Sequence, residues 1–184
     1  MEESVDKQKK NNHLNGLRTF AIPFSLEEIQ GIISINTNNS IKLSKEEIIN
    51  LAFSFHAQGN ISGSIKYYQY FIDQGFNDHR VFSNYGLILR SLGKLKEAEK
   101  LTRRAIAFKP DFAEAHSNLG NILRDLGKLI DAEKSTRKAI QVKPDFAEAH
   151  SNLGNILREL SRFEDAEISA NKAIALKPDS AQAH

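Results

Sequence analysis

The sequence has no cysteine, which excludes disulfides and thiolate metal sites within the chain while saying little about compartment. It also lacks an excess of charge of either sign. Its 25 Lys and Arg face 23 Asp and Glu, and a net charge of +2 is too small for a general nucleic-acid binder. No apolar run approaches the roughly 18 residues of a membrane span. The opening stretch, Met1 to Lys10, has no apolar signal region, so a cytoplasmic protein with no membrane or nucleic-acid partner is expected. There is no nucleophile, base and orienter set, no glycine-rich phosphate loop and no metal-ligand spacing. We therefore expect no enzyme, no catalytic residue, no metal and no cofactor.

Proline is scarce as well, and three of the four prolines, Pro110, Pro144 and Pro178, stand 34 residues apart. They mark a repeat. Pro110 to Lys143 and Pro144 to Lys177 agree at 24 of 34 positions, and both begin P-D-F-A-E-A-H-S-N-L-G-N-I-L-R. The same period extends backwards with weaker matches through 76–109 and 42–75, and a fifth start, Pro178 to His184, is cut off. A period of this length with a helix, turn, helix pattern inside it marks a solenoid, in which stacking supplies the stability that no unit has alone. We expect a tail without structure at 1–19, a capping segment and linker at 20–41 and an array at 42–184. Helices are expected near 45–57, 61–74, 79–92, 95–108, 113–126, 129–142, 147–160 and 163–176. Ser44 with Glu47 forms a capping box at the first of them, as Ser25 with Glu28 does upstream. Gly59, Gly93 and Gly127 supply turns, and Ser161 takes that place in the fourth repeat.

Small residues recur where two helices must approach: Gly86, Gly120 and Gly154, with Ala52 in the first unit, then Ala98, Ala132 and Ala166, with Ser64 in the first. Apolar partners fall at Leu51, Tyr85, Leu119 and Leu153. With Ala105, Ala139 and Ala173 and the closing prolines, this spacing resembles the tetratricopeptide repeat (TPR) family over residues 42 to 184. The resemblance implies an all-α fold, a right-handed solenoid of antiparallel helix hairpins. The first repeat departs from it, with Phe71 in place of Ala and Phe76 in place of Pro. His116, His150 and His184 stand where that family has an aromatic residue. Repeats that far apart cannot bring two of them within about 2 Å of one zinc, so they are read as packing residues.

Function must come from what the first helices show to the inside of the curve. Asn50, Asn84, Asn118 and Asn152 occupy one position in all four repeats, and Asn121 and Asn155 lie three residues on, on the same helix face. A carboxamide offers a donor and an acceptor, so such a row can pair with an extended peptide backbone, or it can bond within the array. It resembles the asparagine ladder in the TPR array of O-GlcNAc transferase. Arg90, Arg124 and Arg158, preceded by His56, form a second row that can meet carboxylates or phosphates on a ligand, or pair with acids such as Asp125 and Glu159. Chaperone-tail binding by a carboxylate clamp is not expected. Where that subclass sets Lys or Arg, this chain has Ile49, Ser83, Glu114 and Glu148.

The reading is a protein–protein interaction scaffold whose partner is a peptide or protein segment on the concave face. One alternative is the substrate-targeting arm of a larger transferase, since the chain stops a few residues into a new helix. Another is self-assembly, as a homodimer or end-to-end stack, through an uncapped last helix with Ile168, Ala173, Ile174 and Leu176.

Overall fold

The computed structural model describes residues 43–177, so the expected tail, the capping segment and the start of a fifth repeat lie outside the described residues. Among the described residues there are eight α-helices and no strand: α1 (Lys45–Ala57), α2 (Ile61–Asp73), α3 (His79–Ser91), α4 (Leu95–Phe108), α5 (Ala113–Asp125), α6 (Leu129–Val142), α7 (Ala147–Glu159) and α8 (Phe163–Ala175). This is the all-α repeat architecture that the 34-residue period predicts. Five helices end one residue earlier than expected, at Asp73, Ser91, Asp125, Glu159 and Ala175. The residue that follows each is a cap whose N–H still reaches back four residues, as Leu126 does to Ile122, although the next step leaves the helix.

The chain divides into two compact units, one ending at Asn77 and the other beginning at Asp78. The first holds α1 and α2. Its capping box forms as expected: Ser44 N–H donates to Glu47 Oε2 at 2.7 Å and Glu47 N–H to Ser44 Oγ at 3.3 Å. That bonding holds the Glu47 carboxyl below its usual range. The departures of this repeat are filled by rings. Phe71 and Tyr68 are wholly buried, and Phe76 packs on Phe71 with ring centroids 5.5 Å apart. His56 is buried too, and its Nδ1 lies 3.1 Å from Tyr68 Oη.

In the second unit α3/α4, α5/α6 and α7/α8 form hairpins, α4 meets α5, α6 meets α7, and the first helices α3, α5 and α7 touch in sequence. Ile88, Ile122 and Ile156, 34 residues apart, are fully buried between them, each stabilising by about 2 kcal/mol relative to exposure. The hairpins are tight where the sequence has glycine. A Cβ placed on Gly120 would run into Thr136 Oγ1 and lie 3.3 Å from the Ala132 carbonyl of α6. Gly86 meets Thr102 in the same way, whereas a Cβ on Gly154 would meet no threonine and lie 3.2 Å from the Ala166 carbonyl of α8.

Repeats are also joined along the second helices. Glu99 accepts from Arg103 at 2.9 Å and from Lys128, in the next repeat's turn, at 3.0 Å. Glu133 does the same with Arg137 at 2.8 Å and Arg162 at 2.9 Å. The Lys128 and Arg103 bonds hold the Glu99 carboxyl below its usual range. Partial burial opposes ionisation of Glu133, and its two arginines outweigh it.

Candidate peptide-binding face

In each repeat the row asparagine is the sixth residue of the first helix, Asn121 and Asn155 are ninth, and Arg90, Arg124 and Arg158 are twelfth. A spacing of three sets them on one face. The first unit has Asn50 and His56 at the sixth and twelfth places of α1. His56, buried against Tyr68, is not available to a ligand.

The face of α3, α5 and α7 is tied by two parallel sets of bonds. Asn118 Nδ2 donates to Ser83 Oγ at 3.1 Å, and Asn152 Nδ2 donates to Ser117 Oγ at 3.0 Å. About two turns further, Arg90 Nε meets Asp125 Oδ2 at 2.6 Å and Arg124 Nε lies 3.6 Å from Glu159 Oε1. All four links join residues 35 apart, so each helix reaches one place further along its successor. The arginines Arg90 and Arg124 thus pair with acids of the following repeat, and Arg158 Nη2 bonds Asn155 Oδ1 at 3.4 Å. These pairs are partly exposed, Arg90 and Asp125 each at 28%, and such bridges contribute about 0–1 kcal/mol.

Serine was the missed partner. Its signal was the Ser-Asn dipeptide at 83–84, 117–118 and 151–152, read only for its asparagine. The bond is possible because a donor at one place and a hydroxyl one residue earlier, a repeat back, become neighbours when the helices stack.

The row is more deeply set than a surface ladder. Asn84, Asn118 and Asn121 are 4%, 8% and 7% exposed, while Asn152 and Asn155 are half-buried. Two amides are incompletely bonded: Asn84 Nδ2 and Asn121 Oδ1 are buried with no hydrogen-bond partner among the described residues. An unmade bond of that kind costs about 1–3 kcal/mol, and χ2 of asparagine is soft enough to turn either atom outward. The histidines are fixed elsewhere: His116 Nε2 lies 2.8 Å from Pro110 O and His150 Nε2 3.0 Å from Pro144 O. A carbonyl only accepts, so each Nε2 carries the proton. These bonds brace the turn before α5 and α7, whose starts have no side-chain cap. Among the described residues no helix is long and apolar enough to cross a membrane, and no cluster of three or more His, Asp or Glu is placed to hold a metal.

A family model described as TPR repeat matches residues 86–127 and 120–161, and one described as tetratricopeptide repeat matches 147–180. Together they span just over half of the chain. No curated protein matches the sequence. Among solved structures, MamA is similar with a TM-score of 0.70 at 19% identity, over 96% of this chain and 96% of that one. YrrB, a TPR protein with an unusual peptide-binding site, has a TM-score of 0.68 at 18% identity, over 95% of this chain and 83% of that one. The first TPR of Spaghetti (RPAP3), bound to the HSP90 peptide SRMEEVD, has a TM-score of 0.53 at 21% identity, over 55% of this chain and 80% of that one.

Proposed function

Because this chain belongs to the tetratricopeptide repeat family, we propose that it is a protein–protein interaction scaffold holding an extended peptide segment against the face of α3, α5 and α7. The observation that carries this reading is the pair of buried amide atoms, Asn84 Nδ2 and Asn121 Oδ1, that nothing among the described residues satisfies. One is a donor and one an acceptor, the complement of a peptide's C=O and N–H. Fold alone does not require them, since asparagine is disfavoured inside helices. That YrrB and the Spaghetti repeat are described with peptide sites supports the choice of ligand class. With Arg90 and Arg124 facing acids of the next repeat, the backbone rather than ligand charge dominates recognition. A few such bonds at about 0.5–1.5 kcal/mol each leave weak affinity after the cost of association.

The test is a peptide-display selection on the full chain and on the Asn121→Ala/Asn155→Ala variant, neither residue of which bonds to a neighbouring repeat. Enrichment of extended peptides by the parent and its loss in a variant that melts no lower supports the reading. Equal enrichment by both, or none by either, overturns it.

A further inference from the structure

The second unit carries a groove of about 420 Å³ between α4 and α6, with His116 and Leu119 of α5 also lining it. Its apolar lining comes from Ile106 and Ala107 of α4 and Leu119 of α5, and its cationic lining from Arg103, Lys134 and Lys138. No carboxylate lines it. Arg103 is neutralised by Glu99, but Lys134 stands 4.0 Å from an exposed Asp131, and Lys138 Nζ donates only to the neutral amide of Gln141 at 3.0 Å.

Helix α8 has the complementary character. Its charges are Glu164, Asp165 and Glu167 against one Lys172. Phe163, Ile168 and Ile174 are 66%, 68% and 66% exposed, somewhat above Ile130 at 58%, and they are the three most exposed of the large apolar side chains among the described residues. At about 100° per residue, Phe163 and Ile174 fall within about 20° of one another, with Glu167 beside them and Glu164 and Ile168 at the far edge of the same arc. Asp165 is taken by Arg162, while Glu164 and Glu167 form no ion pair among the described residues.

We propose that α8 of a second copy of this chain docks into the α4/α6 groove, its isoleucines and Phe163 on the apolar lining and Glu164 and Glu167 against Lys134 and Lys138. Burying that apolar arc drives the contact, and charge sets its direction. Two α8 helices meeting each other would instead oppose like charges. The contact joins unlike surfaces, so mass grows with concentration. A single helix in one groove is small against a standard interface, which makes the contact weaker than about 1 μM.

Charge reversal tests it, because all four residues to be changed are exposed. Sedimentation of the full chain is measured over rising concentration at low and at 1 M salt, together with Lys134→Glu/Lys138→Glu and with Glu164→Lys/Glu167→Lys, each checked for unchanged helicity. The parent should associate, and should do so more weakly at 1 M salt, where charges are screened beyond about 3 Å. Each double variant alone should lose association by at least about tenfold, and an equimolar mixture of the two should regain it, since every groove then finds a helix of opposite charge. A monomeric parent, association strengthened by salt, or variants that associate alone or fail to rescue each other would overturn the proposal.

Discussion

Asn118 and Asn121 lie three residues apart on α5, are 8% and 7% exposed, and differ in how they are bonded. Truncating each to alanine separates the two roles assigned to the row. The gain in helix propensity, about 0.5–0.7 kcal/mol, and the loss of side-chain volume are the same at both sites and cancel in the comparison. Asn118→Ala breaks the bond to Ser83, about 0.5–1.5 kcal/mol, and leaves a hydroxyl that is 2% exposed without its donor. Asn121→Ala removes an acceptor whose unmade bond costs about 1–3 kcal/mol. Asn121→Ala should therefore be the more stable variant by about 2–3 kcal/mol. With an m-value of about 2 kcal/mol/M in urea, that is a separation of roughly 1 M between midpoints, read by circular dichroism with m unchanged. Equal midpoints, or Asn118→Ala the more stable, would refute the claim that Asn121 is kept against stability and Asn118 for it.

Gly120→Ala should cost roughly 1–2 kcal/mol, since overpacking against Thr136 outweighs about 1 kcal/mol of helix propensity. Gly154→Ala, which meets no threonine but presses on the Ala166 carbonyl at 3.2 Å, sets about 1 kcal/mol of helix propensity against that squeeze and should be within about 0.5 kcal/mol of the parent, and Thr136→Ala should recover part of the Gly120→Ala loss; equal urea midpoints for the two glycine variants would show that Thr136 is not the cause. Ser161 sits at φ 59°, where Gly127 sits at 74° in the preceding repeat, so Ser161→Gly should stabilise by about 0.5–1 kcal/mol, and calorimetry showing a lower Tm would contradict this. Burial pushes His56 down to about 4 from an ordinary 6.5. The unfolded chain then binds a proton that the folded one refuses, so stability is full above about pH 6.5, falls by about 3 kcal/mol towards pH 4, and is flat in this component below that. Urea unfolding at pH 7, 5.5 and 4.5 should show that slope in the parent and lose most of it in His56→Phe.

Much of the fold is legible in the sequence. The 34-residue identity between 110–143 and 144–177 set the number of hairpins. Pro110 and Pro144, with Gly59, Gly93 and Gly127, set the ends of helices, because these residues act through local backbone rules. Only the last residue of five helices was misplaced, at caps where hydrogen bonding outlasts helical dihedrals. The candidate face was legible in part. Periodicity put Asn84, Asn118 and Asn152 in one row and named Asp125 and Glu159 as acids within reach of the arginines, but it did not find Ser83 and Ser117.

What the sequence by itself determined is therefore what depends on neighbours along the chain: helix, turn, cap, and which residues share a helix face. What only the tertiary structure decided is the offset between stacked helices. A 34-residue period makes residues equivalent without making them neighbours. Packing of helix on helix, which no local backbone rule encodes, sets each first helix so that partners stand 35 apart. That one-residue shift joins Ser83 to Asn118 and Arg90 to Asp125, while Asn84 and Asn121 each keep an atom unbonded among the described residues.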